Sequence, residues 1–296
     1  MSDDAAGGQR RPSTRELHEQ NRRSWNVATR AHNSHKRDQA AFLRGGGSTL
    51  FAEERELVGE LSGRTLLHLC CNAGQDTLSL ARLGARVTGV DFSDEAVAFA
   101  ERLSAESGIA GRFERADVYD WLPRAIREHR RFDRVVLTYG VLGWMSDLDA
   151  LFRGIAGVLE PGGRVVSLEF HPAAMVYDVD LQIRYPYFRE AGPHRWAEGV
   201  SDYVAQSGRA LTPSGWLDGE PDFKNPHEVW EFPWGVAQLM GAMLGAGLSI
   251  ERVHEWPYAN GFAPFKRMRE LPGRRFAAPE GVPELPLMLG VTATRP

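Results

Sequence analysis

With 296 residues, 43% hydrophobic and 25% charged, the chain is long enough for one large α/β domain or for a core with a sizeable insertion. A net charge of −4 gives no general attraction to nucleic acid or anionic membrane, and Arg10-Arg11 and Arg22-Arg23 read as solvated surface, so neither partner is expected. The start MSDDAAGGQRRPS has no secretory apolar region, no run approaches the roughly 18 apolar residues of a membrane span, and the two cysteines, Cys70 and Cys71, are adjacent; these features exclude a disulfide framework or a structural zinc site and point to the cytoplasm.

Residues 1–14 read as a frayed, disordered terminus. RELHEQNRRSWNVATRAHNSHKRDQAAFLR (15–44) reads as helix, broken near Asn33-Ser34, with Trp25, Thr29, His32 and Lys36 on one face. GGGSTLF interrupts it and AEERELVGEL (52–61) resumes it, so residues 15–62 are expected to form a helical lid. Strand and helix patterns then alternate. Strands are expected at 64–71, 85–91, 111–118, 132–140 and 164–170, and helices at 74–84, 93–108 with Ser93 as N-cap, around YDWLPRAIREH, and at 147–159. That alternation predicts a parallel sheet with helices on both faces, a core over 63–171. Residues 172–232 are irregular and rich in Pro, Gly and aromatics, the composition of a substrate-binding insertion. A helix at 233–247 and strands at 248–256 and 285–295 return the chain to the core, completing it over 233–296.

The segment LLHLCCNAGQDT (66–77) is a strand, a tight turn and a helix start, which turns backbone N–H groups toward a ligand edge. Asp91 ends the next strand about 20 residues on, where an acid can bond two ribose hydroxyls. Where G-x-G-x-G would be expected the chain has Cys70, Asn72 and Gly74; Cys is small and Asn tolerates positive φ, so the turn is feasible. On this segment alone a plain strand–turn–helix without ligand stands beside the cofactor loop.

Together with Asp91, Ala116-Asp117-Val118 and GVLEPGGRVVSLEF (157–170), the chain resembles the class I S-adenosylmethionine-dependent methyltransferases over about 64–171. The terminal pieces WNVATRAHNSHK and ELPLMLGVTATRP are similar to a small-molecule group of these enzymes common in actinobacteria. The resemblance implies an α/β, Rossmann-like, seven-stranded, mostly parallel sheet with helices on both faces, an N-terminal helical lid and an insertion after the fifth strand. It implies S-adenosyl-L-methionine as cofactor and a small, aromatic or heterocyclic acceptor methylated at N or O in specialised metabolism. Carried over by position, His68, Cys70, Asn72 and Gly74, with Asp76 just beyond, surround the methionine half. Asp91 binds the ribose, Phe92 packs on the adenine, Asp117 bonds the adenine amine with Val118 beside it, and Thr138–Gly143 line the path to the sulfonium. His68 stands where the family has an acid, and two of three loop glycines are replaced. A nicotinamide-dependent oxidoreductase, which needs those glycines for its pyrophosphate, and a non-catalytic cofactor-binding module are the alternatives.

For the chemistry, His171 follows the fifth strand at the carboxyl edge of the sheet and is the expected general base, with Glu169 as a neighbour that could orient it. His32, His35 and Lys36 lie on the lid, within reach of substrate or the cofactor carboxylate; His35 and Tyr139 join His171 as catalytic candidates. H-x-x-H is a weak metal signal and no metal is expected. Trp25, His32, Trp144, Tyr177 and Trp230 are the expected substrate contacts, with a cation–π contribution open to them. The chain reads TYGVLGW after the fourth strand, without the N-P-P-Y type signature of base-amine methyltransferases. The lid helix could cap its own site or swap onto a neighbour in a homodimer.

Overall fold

The structure, a computed structural model, describes residues 12–296. The expected frayed terminus, and Arg10-Arg11 with it, lies outside the described residues as far as residue 11; beyond that the chain is already organised. The Ser13 hydroxyl accepts the Glu16 N–H and the Glu16 carboxylate accepts the Ser13 N–H, a reciprocal cap that starts α1 (Thr14–Ser34). The expected break falls where α1 ends. Asp38 then caps α2 (Gln39–Arg44), and α3 (Ala52–Val58) stops at Gly59, whose φ of 66° a helix cannot continue.

The alternating part follows in order: β1 (Thr65–Leu69), α4 (Gln75–Arg82), β2 (Arg86–Asp91), α5 (Asp94–Ser107), β3 (Arg112–Arg115), α6 (Val118–Arg127), β4 (Phe132–Thr138), α7 (Leu148–Val158) and β5 (Leu159–Phe170). β3 is shorter than its apolar pattern suggests because Asp117 leaves the strand to cap α6, accepting the Tyr119 N–H at 2.9 Å. The insertion contributes β6 (His194–Trp196), α8 (Tyr203–Ser207) and β7 (Val229–Glu231); then come α9 (Val236–Gly245), β8 (Ser249–Trp256), β9 (Tyr258–Asn260), β10 (Arg269–Leu271), β11 (Arg275–Ala277) and β12 (Met288–Thr294). The main sheet has seven strands in the order β3-β2-β1-β4-β5-β12-β8, with β12 antiparallel to both of its neighbours and the other pairs parallel.

Strand side chains alternate between two cores. Leu67, Leu69, Val135 and Val165 pack with Trp121, Phe152 and Met243 from α6, α7 and α9. Leu66, Val136 and Val166 face Leu57, Val58 and Leu80 on the other side. Both faces are covered, which is why these strands are continuous apolar runs rather than alternating ones.

The lid and the insertion are clasped together. Asn21 on α1 exchanges two 2.8 Å bonds with the backbone of Trp230, the Ser24 hydroxyl accepts the Val200 N–H at 3.0 Å, and His35 bonds Asp202 at 2.7 Å. On the core side, Asn26 and Arg22 reach the start of α5 at Ser93 and Asp94, and Gln75 at the start of α4 donates to Asn33 and Gln39. A three-stranded sheet, β10-β11-β9, is an element that the apolar pattern did not announce. It is anchored on buried Glu53 of α3, which takes Tyr258, Asn260 and Arg275.

Gly74 closes the turn after β1 at φ 78°, and a Cβ there would sit 2.6 Å from the Ala100 Cβ. Gly74→Ala therefore combines a left-handed penalty with overpacking and should lower unfolding free energy by about 3 kcal/mol. A denaturant titration with an unchanged midpoint would show that the turn is not held as described.

Candidate active site

The carboxyl ends of β1, β2, β4 and β5 open into one cavity of about 700 Å³, walled by α1, the insertion and the loop after β4. This is the edge at which open α/β sheets bind ligands. The turn after β1 is built from left-handed residues: Cys70 and Asn72 have φ of 54° and 47°. Asn72 is suited to this because its Oδ1 accepts the Ala73 N–H at 2.7 Å; Cys70 has no such compensation. Burial pushes both thiols well above their ordinary range, so neither is a thiolate nucleophile.

Asp91 ties this turn to the next one. Its two carboxylate oxygens accept the Asn72 N–H at 2.8 Å and the Ser93 N–H at 2.9 Å. Burial lifts the carboxyl to about 6, against the pull of these backbone donors. It faces the cavity with lone pairs to spare and, among the described residues, has no cationic partner. A vicinal pair of ribose hydroxyls is the donor set such a group accepts, so the residues fit the nucleoside half of the implied cofactor. Asp117 also lines the cavity. Burial disfavours its charge, yet the His18 imidazole at 2.6 Å holds the carboxyl below its usual range, and His18 stacks on Tyr119 at 5.5 Å. Phe92, Val118 and Thr138 lie along the same wall.

His68 is buried between the Thr77 hydroxyl at 2.9 Å and that of Thr138 at 3.4 Å. Desolvation holds its pKa at about 4, so the imidazole is neutral. Asp76, in the first turn of α4, also faces the cavity, and its carboxylate takes the Thr49 hydroxyl. Two cations reach toward it. Burial lowers Lys36 to about 8 while Asp76 opposes the shift, and Arg274, likewise lowered by burial, is supported by Asp76. A carboxylate beside an ammonium is the complement of an amino acid's charged end.

Of the expected catalytic residues, Tyr139 lines the cavity and His171 and His35 do not. The His171 Nδ1 accepts the Ala173 N–H at 3.1 Å, so the proton is on Nε2, which donates to Glu255 at 2.7 Å. His35 is likewise absent from the wall: it is held between Asp202 and the Trp216 ring stacked 5.0 Å away. Tyr139 presents its ring to the cavity, but its hydroxyl accepts from Asn260 at 3.1 Å beside Glu54, and burial keeps it well above its ordinary pKa. The group that does face the cavity from the tip of β5 is Glu169. It accepts the N–H groups of Val141 and Leu142, and burial raises its pKa to about 8.

Of the expected substrate contacts, Trp25, His32, Trp144 and Tyr177 line the cavity. Desolvation keeps His32 neutral, with a pKa of about 4, while it bonds the Ser201 carbonyl at 2.9 Å. Trp230 does not line it: strand alternation in β7 turns Trp230 outward to Gln20 and turns Val229 and Glu231 inward. Glu231 and Trp196 were the residues that composition could not single out; the signal was the two-residue period of V-W-E, legible only once β7 is known to be a strand. Among the described residues no group of three or more His, Cys, Asp or Glu could hold a metal ion.

Residues 66–163 match the family model described as a methyltransferase domain. A ubiquinone biosynthesis O-methyltransferase of Xanthomonas euvesicatoria pv. vesicatoria is 34% identical over 122 residues, 40% of this chain and 49% of the relative. A demethylmenaquinone methyltransferase of Lactococcus lactis is 31% identical over 150 residues, 48% of this chain and 55% of the relative. The chain thus spans about half the length of the relatives it matches. Among solved structures, an S-adenosylmethionine-dependent methyltransferase from Mesorhizobium loti superposes with TM-score 0.53 at 21% identity, over 84% of this chain and 99% of that one. A DhpI–SAH complex superposes with TM-score 0.52 at 17% identity, over 95% and 98%. These likenesses show the fold, a Rossmann-like sheet shared with S-adenosylmethionine-dependent methyltransferases, with residues 66–163 matching a methyltransferase domain.

With His171 turned away from the cavity, His171→Ala should lower stability by about 2 kcal/mol through its lost buried hydrogen bonds. Affinity for S-adenosylhomocysteine should stay within threefold of the parent; a tenfold loss in an equilibrium titration would return His171 to the site.

Proposed function

We propose that this chain, whose residues 66–163 form a methyltransferase domain, binds S-adenosyl-L-methionine and methylates N or O of a small aromatic or heterocyclic molecule. The observation that carries the reading is the Asp91 carboxylate, buried, without a cation and tied to the left-handed turn at Cys70–Gly74 within that domain. In this reading Asp91 takes the ribose hydroxyls, Asp117 the adenine amine, and Phe92 and Val118 the faces of the base. Asp76 and Lys36 take the charged end of the methionine half, with neutral His68 behind them.

The cofactor, when bound, supplies a methyl group on a cationic sulfur, activated for displacement. What the chain adds is alignment and exclusion of water, which supply much of the rate of such a transfer. Trp25 and Trp144 meet edge to face at 5.4 Å across the seam between lid and β4 loop, and shield the acceptor from solvent. Glu169 holds that loop through the Val141 and Leu142 N–H groups. Burial raises its pKa to about 8, so it is mostly protonated at pH 7 and accepts a proton from an acceptor once it has been deprotonated, as pH rises toward 8 or as the sulfonium charge lowers its pKa. It is the base in this reading, in place of His171. Kinship with the small-molecule group common in actinobacteria, and a role in specialised metabolism, belong to the proposal and rest on the terminal sequences quoted above. No helix among the described residues is long and apolar enough to cross a membrane, and the unpaired thiols Cys70 and Cys71 suit a reducing compartment, so a cytoplasmic setting completes it.

Calorimetric titration tests the cofactor. S-adenosylmethionine should bind with micromolar affinity and NAD(H) should not, and Asp91→Asn should weaken binding by about 30-fold or more through loss of charge-assisted hydrogen bonds. Unaltered affinity in that variant removes Asp91 from the site. Glu169 makes a pH prediction. A base must be deprotonated, so turnover should rise tenfold per pH unit below its midpoint and level off above it, with that midpoint at or below about 8 because the sulfonium charge pulls it down. In Glu169→Gln that limb should vanish and turnover should fall about 100-fold, with cofactor affinity within threefold.

A further inference from the structure

Charge is segregated along the cavity. Among the described residues, the Lys and Arg side chains that line it are Lys36 and Arg274, and both lie in the field of Asp76, at the end assigned above to the methionine half. The wall formed by α1, the loop after β4 and the β6–β7 pair is different. Here Glu231 lies beside Gly143 in the β4 loop and accepts the Trp196 indole N–H at 2.7 Å. Among the described residues no Arg, Lys or His forms an ion pair with it. Desolvation raises its pKa to about 6, with only that indole bond working the other way.

Around this carboxylate the wall is aromatic. Trp25 and Trp144 stand nearly perpendicular, at 81°, and Tyr203 lies 6.3 Å from Trp25. Tyr185 packs 4.9 Å from Trp196. All of these line the cavity. A desolvated carboxylate without a counter-ion, set among indole and phenol faces, is the arrangement that attracts an organic cation and repels an anion.

We propose that the Glu231 wall is the acceptor subsite and that it selects an organic cation, an aromatic or heterocyclic molecule carrying a basic amine. The assignment rests on the methyl-transfer reading and narrows its substrate to a cation, whose ammonium is held by Glu231. The methyl group passes from the sulfonium, which leaves as the neutral thioether, to an unprotonated N or O elsewhere on the same molecule, any proton on that atom going to Glu169. It also accounts for what the wall lacks. An acceptor that must become a phenolate would meet two carboxyl groups, Glu231 and Glu169, with the sulfonium alone to offset its charge. An ammonium gains the carboxylate and the ring faces together.

The test uses three molecules with one ring and different charge: tryptamine, tryptophol and indole-3-acetate, each titrated calorimetrically at pH 7.5 into the full-length protein with and without saturating S-adenosylhomocysteine. Tryptamine should bind at least about 30-fold more tightly than tryptophol, with indole-3-acetate weakest. In Glu231→Gln, which can keep the Trp196 bond, tryptamine and tryptophol should become equal within threefold, with the melting temperature and S-adenosylhomocysteine affinity unchanged. If that variant melts early, Trp144→Leu replaces it and should lower tryptamine affinity about tenfold. Equal binding of the three, preference for the acid, or binding of none overturns the proposal. Absence of S-adenosylhomocysteine binding alongside a tryptamine preference would sink the methyl-transfer reading and leave the cation site standing.

Discussion

A single buried carboxylate sets the ligand edge of this molecule. Asp91 ends β2, and its oxygens accept one N–H from the turn after β1 and one from the cap of α5. Those donors are backbone groups of two different crossovers, so the bond fixes the separation of the turns and not merely their local shape. The turn after β1 needs such a constraint because Cys70 and Asn72 are held at positive φ without the freedom of glycine. The same tie leaves Asp91 desolvated and its remaining lone pairs directed at the cavity. Structure and binding capacity therefore come from one group, and the lone pairs it retains are available only because its protein partners are amides rather than an arginine.

The second constraint is closure. A lid helix resting on a sheet edge by apolar contact alone would define no pocket of fixed shape. α1 is instead pinned on both sides, by Asn26 and Arg22 on α5 and by Asn21, Ser24, His32 and His35 on the insertion. The bonds to the insertion run largely to its backbone, which satisfies polar groups that an irregular buried segment would otherwise leave unpaired. Two histidines that look like chemistry in the sequence are used here as clasps. Their burial, which keeps His32 neutral, is the cost of that use.

How far the sequence could be read follows from which forces are local. The alternating strands and helices of the core, the Ser93 cap and the position of Asp91 were legible because apolar period and capping are properties of neighbouring residues. β5 begins at Leu159 rather than after the glycines because Gly162 and Gly163 pair with Arg295, a partner far away in the chain. The β9–β11 sheet escaped notice for the same reason: its strands are three residues each and owe their place to Glu53 in α3. The residues that line the cavity divide similarly. Asp76 and Trp144 could be named from their position beside recognisable turns. Glu169 was seen only as a support for His171, since sequence does not tell which of two polar residues at a strand end faces the ligand. Glu231 and Trp230 were exchanged because β7, with strand neighbours in an irregular insertion, gave no sign of its pleat.

In the methyl-transfer reading, His68 stands where the resemblance implies an acid, and the charges around it are arranged accordingly. An acid at the end of β1 would place a negative charge at the floor of the cavity. A neutral imidazole between two threonine hydroxyls cannot supply it, and burial ensures that it stays neutral across ordinary pH. Asp76 lies beyond the turn, on the helix that begins there, and is held by Thr49. From there it acts electrostatically on Lys36 and Arg274. Among the described residues these are the Lys and Arg side chains that line the cavity, and neither forms an ion pair with Glu231. In the proposed reading, the Asp76 end and the Glu231 wall are the two poles of one charge distribution.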